Sequence, residues 1–358
     1  MGIRRIALVG AASLTLLAGP AAGTVGAAPG PGGAGSSTVA TARVSPVGTA
    51  RMSTVGTASV AETPMLPGPP QATHAAAADY GDAHPGSVPP GANDFTCRPT
   101  ADHPNPVVLA HGSDSNAYSD WADLAPRLKA AAYCVFAVNY GGTPGSTTFG
   151  TEDMYLSAGQ IADFVHRVRA GTGAAKVDLV GFSQGATVTR YFVNKLGGAA
   201  VVDRWVGVAS PSYGGIFYGL VPAADAVPGG RDVVSLFTTT AVAQQAQGSD
   251  FLADLNGGGD TVAGVRYTTI GTRYDEMIQP WTNVALHGPG ATNVLVQDRC
   301  PQDMTGHMNM VYDPFTLGLV MQALDPGTTD PDTGDANIPA PACTPVPLGT
   351  GMIGMVGR

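Results

Sequence analysis

Lysine is almost missing from this chain: three occur in 358 residues, at Lys129, Lys176 and Lys195. With Lys and Arg together at 18 against 27 Asp and Glu, the net charge is −9. Such a composition cannot assemble the basic patch that neutralises a phosphate backbone, so a nucleic-acid partner is excluded. It also holds no basic amphipathic helix for an anionic membrane surface. The apolar run near the start, Ile6 to Ala18, is shorter than the roughly 20 residues that span a bilayer, so no stable membrane anchor is expected. Cysteine is scarce as well: Cys97, Cys134, Cys300 and Cys343, with no CxxC and no Cys/His ligand spacing, which argues against a metal site.

What is present divides the chain into three. Two arginines in Met1 to Arg5, the apolar run and small residues around Ala21 to Ala28 read as a secretory signal peptide over residues 1–28. Residues 29–94 are Ala, Gly, Pro, Ser and Thr with almost no large apolar side chains, and are expected to be a disordered linker or propeptide. An eight-residue repeat lies within them, Thr41 to Gly48 (TARVSPVG) and Thr49 to Gly56 (TARMSTVG), decaying from Thr57. It is too short for a solenoid unit. Residues 95–358 suit one α/β domain, expected to be monomeric. Four cysteines in an exported domain suggest two disulfides, and sequence alone permits three pairings. Cys97 with Cys134 and Cys300 with Cys343 is the preferred one, because each closes a local loop.

The densest signal is Lys176 to Gly185, KVDLVGFSQG, an apolar strand (Val177 to Val180) breaking into GxSxG. This is the nucleophile-elbow pattern: Ser183 sits on a strained strand-to-helix turn, and Gly181 and Gly185 remove the Cβ atoms that would crowd it. A helix over Gln184 to Leu196 follows, its amides directed at a developing oxyanion. Further strands are predicted at 106–110, 134–139, 204–209, 265–270 and 293–297, with helices over 118–132 and 152–170 between them. The alternation implies a mostly parallel sheet flanked by helices, with ligands beyond the carboxyl ends of its strands.

An elbow serine needs a base and an orienting carboxylate, in the order Ser, Asp or Glu, His. His307, in TGHMNM ten residues past the last strand, fits the base better than His287, which precedes a turn. Asp275, in GTRYDEMIQP, fits the acid better than Asp260, Asp298 or Glu276, the last pointing away if the turn is extended. Asp178 and Asp203 read as solvated or capping strand-edge residues, His111 as structural packing, and Met304, Met308 and Met310 as pocket wall or core.

These segments together, VVLAHGS, VGFSQG, RYDEMIQP and GHMNM, resemble secreted bacterial lipases of the α/β-hydrolase fold and are similar to the Candida antarctica lipase B type. The likeness extends over nearly all of Phe95 to Cys343. It implies hydrolysis of apolar or lipid esters through an acyl-enzyme, without metal or organic cofactor. Ser183 would be nucleophile, His307 base and Asp275 its partner, with the amides of Ser113 and Gln184, and the Ser113 hydroxyl, as oxyanion donors. Lipases of this type carry a threonine after Pro-Gly where Ser113 here follows His111 and Gly112. The stretch 212–259, where lids and acyl pockets are built, departs in composition. Acyl transfer and polyester hydrolysis would use the same triad, and a binding protein on a retired hydrolase fold would need a broken one.

Overall fold

Largely buried runs of four to seven residues, valine-containing in all but one strand, form the main sheet of this protein. The computed structural model describes residues 66–216, 239–325 and 341–351; the expected signal peptide, the octapeptide repeat and part of the 212–259 stretch lie outside them. In chain order the elements are β1 (Leu66–Pro67), α1 (His74–Ala83), β2 (Ser87–Val88), β3 (Val107–Ala110), α2 (Ala117–Trp121), α3 (Leu124–Ala130), β4 (Val135–Val138), α4 (Met154–Thr172), β5 (Val177–Phe182), α5 (Gln184–Lys195) and β6 (Val202–Val208). There follow α6 (Thr240–Gln244), α7 (Asp250–Asn256), β7 (Arg266–Gly271), β8 (Ala291–Leu295), α8 (Val296–Arg299) and α9 (Pro314–Leu324).

Six strands pair in the order β4-β3-β5-β6-β7-β8, every pair parallel. The chain runs outward from β3 to β4 and then returns to place β5 on the other side of β3, so the order reverses between β3 and β5. Ligand crevices open beyond the carboxyl ends of such a sheet at that reversal. Ala110 is in register with Gly181, so the loops after β3 and β5 leave the sheet at one level. Alternate strand residues face opposite sides. Leu109, Val180 and Val206 pack with Trp121, Leu124, Phe315 and Val320, while Val108, Leu179 and Trp205 pack with Ile161, Val165 and Phe192.

The helix expected over 118–132 is two helices, α2 and α3. Pro126 has no N–H to bond to Ala122 and its ring crowds that carbonyl, so the helix breaks at Ala122 and Asp123. The last strand ends at Leu295, and the chain turns into α8.

Residues 66–94, within the stretch expected to be a disordered linker or propeptide, are ordered, so the folded part of the chain does not begin at Phe95. Thr73 caps α1 by accepting from Ala76 N, and Ala77 and Ala78 are buried. Ala77 shares a buried cluster with Tyr118 and Trp121 of α2, and its small side chain lets the two helices approach closely, a contribution that a count of large apolar residues misses. Beyond it Asn93 acts as a piece of strand along the sheet edge, donating from Nδ2 to Ala137 O and accepting Ala137 N at Oδ1. The structure joins Cys97 to Cys134 and Cys300 to Cys343. The first bond ties this segment to the start of β4, the second ties the end of α8 to residues 341–351.

Asp178 is also not a solvated edge residue. It is 3% exposed near the start of β5, and its Oδ1 accepts Arg204 N and Asn105 Nδ2. Burial, against the pull of Arg204, pushes its carboxyl up to about 7. A carboxyl raised above its unfolded value of 3.8 contributes stability at low pH that is lost as pH rises through about 7. Asp178→Asn, which keeps the Oδ1 acceptor and cannot ionise, is therefore expected to exceed wild type in stability at pH 8 by on the order of 2–4 kcal/mol, with the gap closing toward pH 4. Urea midpoints of both proteins at pH 5 and pH 8 check this. Asp303, raised to about 7 by burial and then by Asp313, shifts wild-type stability in the same direction, so the difference between the two proteins isolates Asp178.

Candidate active site

Ser183 stands between β5 and α5 with φ 50° and ψ −120°. A residue with a side chain avoids this backbone region, at a cost on the order of 1–3 kcal/mol, and the surrounding bonds hold it there. Ser183 N donates to Val208 O at 2.8 Å and Ser183 O accepts Ala186 N at 3.1 Å. A Cβ on Gly181 would lie 2.3 Å from Ala186 N, and one on Gly185 would lie 2.1 Å from Ala110 O. Neither clash is with a flexible side chain, so both glycines are required by backbone packing. Ser183 is half-buried at the N-terminus of α5, where the helix dipole favours negative charge.

Asp275 lies four residues past β7 in a turn that its own carboxylate builds: Oδ1 accepts Met277 N at 2.8 Å and Ile278 N at 2.7 Å. His307 sits in a short 3-10 turn, His307–Asn309. Its Nδ1 contacts Asp275 Oδ2 at 2.9 Å and Oδ1 at 3.1 Å, and both residues are buried. With a carboxylate at Nδ1, the proton of the neutral ring belongs on Nδ1 and Nε2 is the free acceptor. Burial alone would push this imidazole down, but Asp275 foremost, then Glu276 and Asp120, outweigh it and hold it above the ordinary histidine value. The His307 ring is 5.0 Å, centroid to centroid, from Phe182, the neighbour of Ser183. Among the described residues no hydrogen bond joins Ser183 Oγ to His307; such contacts commonly tighten only when substrate binds.

The loop after β3 is gripped from several sides. His111 Nδ1 meets Gly112 O at 2.7 Å while its Nε2 accepts Tyr140 N at 3.4 Å, so the pair of contacts assigns the ring proton to Nδ1. The ring is fully buried, stacked on Tyr140, and burial keeps it below the ordinary histidine value despite Asp120 nearby. The Tyr140 hydroxyl donates to His111 O at 2.5 Å. Gly112 N donates to Asp120 Oδ2 at 2.7 Å. Burial pushes Asp120 up, yet His74, His111 and that amide together carry it below its usual range.

Ser113 and Gln184 meet across this gap, Ser113 Oγ donating to Gln184 Oε1 at 2.5 Å. Gln245 Nε2 donates to both, at 3.0 and 3.1 Å. The Ser113 hydroxyl proton is thus engaged by Gln184 rather than offered to a ligand. The backbone amides of Ser113 and Gln184 bond no acceptor among the described residues, which leaves two N–H donors open beside Ser183.

The rival candidates lie elsewhere. His287 N bonds Asp260 Oδ2 and its ring packs on Tyr213, while Asp298 pairs with Arg273 at the surface. Glu276 does not point away: its Oε2 accepts His307 N at 2.7 Å, and Gly306 leaves it the room, since a Cβ there would sit 2.4 Å from that oxygen. Glu276, Gln245 and Asp120 were not singled out as site residues by the sequence. Only Asp120 carried a signal, an acidic residue beside Trp121 on a helix face that must be buried. Among the described residues no three His, Cys, Asp or Glu side chains group as a metal site, and no helix is long and apolar enough to cross a membrane.

The sequence pattern of the family described as lipase (class 2) matches residues 104–317. No curated protein matches the chain. Among solved structures, the chain is similar to Aspergillus fumigatus lipase B at 22% identity and a TM-score of 0.54, covering 68% of this chain and 57% of that one. It thus spans little more than half the length of that lipase. The mature form of Bacillus licheniformis lipase BlEst2 aligns at 16% identity and a TM-score of 0.48, over 64% of this chain and 94% of that one. With more than half of its length matched by that pattern, and with the parallel strand order and the elbow described above, the chain belongs to the family described as lipase (class 2) and has the α/β-hydrolase fold.

Proposed function

We propose that this protein is an extracellular lipase that hydrolyses apolar acyl esters, triacylglycerols among them, through Ser183, His307 and Asp275. The observation that carries the reading is the buried His307–Asp275 contact at 2.9 Å beside a serine held at φ 50°. Ser183 Oγ attacks the ester carbonyl carbon as His307 Nε2 takes its proton, giving a tetrahedral oxyanion held by Ser113 N and Gln184 N. The carbon–oxygen bond to the alcohol then breaks, and His307 returns the proton to the departing oxygen. Water repeats both steps on the acyl-enzyme, releasing the acid and restoring Ser183. Asp275 keeps the ring in the Nδ1–H form and stabilises the imidazolium, without taking the proton itself. Export follows from the basic and apolar leader in residues 1–28 and from two disulfides, which persist in oxidising surroundings.

Nitrophenyl esters from acetyl to palmitoyl, with emulsified triacylglycerol alongside, test the substrate class. Hydrolysis of the emulsion and a rate maximum at acyl chains longer than butyryl are expected. A maximum at acetyl with an inert emulsion would replace lipase by short-chain esterase.

A further inference from the structure

Residues 66–94 lie ahead of the matched family region, yet they reach into the site described above. His74, the first residue of α1, places Nε2 at 3.0 Å from Asp120 Oδ1. Asp120 has no exposed surface; the same Oδ1 accepts Ser115 Oγ at 2.5 Å, and Oδ2 accepts Gly112 N at 2.7 Å. No Lys or Arg among the described residues pairs with it. A carboxylate taken wholly out of water needs hydrogen bonds and a compensating partner, and His111 commits Nδ1 to Gly112 O and Nε2 to Tyr140 N, so neither of its ring nitrogens bonds Asp120.

The docking of this segment is specific. Tyr118 OH donates to Pro69 O at 2.7 Å and accepts from Gln71 Nε2 at 3.1 Å. A Cβ on Gly68 would lie 2.2 Å from the Tyr118 ring. Tyr312, five residues beyond His307, meets the His74 ring edge-on with centroids 6.0 Å apart and donates to Ser119 O at 2.6 Å.

We infer that His74 and Asp120 are positioning residues for the oxyanion loop, so that the segment carrying His74 is part of the catalytic machinery and must remain on the mature enzyme. The inference rests on the reading of Ser113 N as an oxyanion donor. Asp120 holds the N–H of the His111–Gly112 peptide while His111 Nδ1 holds the carbonyl of the next peptide, Gly112–Ser113, so the two bonds fix the turn at Gly112 and through it the second peptide's plane. Ser113 N–H is aimed by that plane. Without His74 the carboxylate beneath the loop loses its outer partner, and a shift of an oxyanion donor by about 1 Å costs on the order of a hundredfold in rate.

The test uses the full chain with a soluble nitrophenyl ester, and four variants: His74→Ala, Asp120→Asn, both together, and Ser183→Ala. For His74→Ala, kcat is expected to fall about ten- to a hundredfold with KM within twofold, while Ser183→Ala is inactive. The double variant is expected to lose no more than the worse single one, since both act on one contact. A wild-type kcat in His74→Ala with Ser183→Ala inactive overturns the inference and leaves the triad standing. Activity in Ser183→Ala overturns the triad itself, whatever His74 does. Should His74→Ala fail to fold for want of a partner to the buried charge, the double variant, which buries no charge there, carries the test. A kcat in it at the wild-type level overturns the inference; a loss of tenfold or more at unchanged KM supports it.

Discussion

Ser183→Ala is expected to lower kcat for a soluble ester by roughly 10⁶-fold, the scale on which removing the nucleophile acts in serine hydrolases, with KM little changed. The loss is this large because the three groups act as a unit. Without Oγ there is no bond for His307 to assist and no acyl-enzyme to hydrolyse, so only binding and the oxyanion donors remain, worth 10³–10⁴ over water. The fold should tolerate the change: Ala keeps the Cβ that already fits, and Ser183 Oγ makes no hydrogen bond among the described residues that would be lost. Reaction with an organophosphate gives a second readout. Wild type is expected to carry one adduct, on Ser183, and the variant none. A variant retaining more than a hundredth of the wild-type kcat would remove Ser183 from its assigned role.

The parts of this site that could be read in the sequence are those whose physics is local. The elbow is one: a strand, two glycines that no side chain could replace, and a helix start are consecutive in the chain, and β5 and α5 lie within a residue or two of where the pattern puts them. The pairing of Asp275 with His307 was expected from chain order, each lying beyond the carboxyl end of a strand of the parallel sheet, and the two side chains do meet. What could not be read arises from long-range convergence. Glu276 was discounted because an extended turn would send it away, whereas Asp275 folds its turn tightly through Met277 N and Ile278 N and brings Glu276 under His307. Gln245 reaches Ser113 across 132 residues of sequence, and no spacing rule connects them. The order in residues 66–94 was hidden by a different cause. Their burial is of alanine and glycine, with Gly68 and Gly81 against the ring of Tyr118, and their polar contacts go to residues far along the chain. The Pro126 break was missed, although its cause is local: a missing N–H and a ring against the Ala122 carbonyl divide the helix expected over 118–132.

Asp275→Asn should lower kcat by about 10⁴-fold, more than loss of a charge by itself would explain. Asp275 Oδ1 is committed to Met277 N and Ile278 N, so an asparagine must keep its carbonyl oxygen there. Its Nδ2 then falls where Oδ2 now lies, 2.9 Å from His307 Nδ1. An amide N–H facing Nδ1 turns that nitrogen into an acceptor and moves the ring proton to Nε2, the atom that must accept from Ser183. The base is present but in the wrong tautomer. The pH dependence carries a separate sign. In wild type the imidazole is held above the ordinary histidine value, with Asp275 as the largest raising influence, and it must be neutral to act. The acid limb of kcat/KM is therefore expected above pH 6.5, with activity growing as pH rises through it. Removing the carboxylate destabilises the imidazolium, so in the variant the limb moves to lower pH while the plateau falls. Profiles of both proteins from pH 4 to 9 check the two effects independently. A fallen plateau with an unmoved limb would assign the raised imidazole to Glu276 and Asp120, whose charges remain, and leave Asp275 as an orienting group alone.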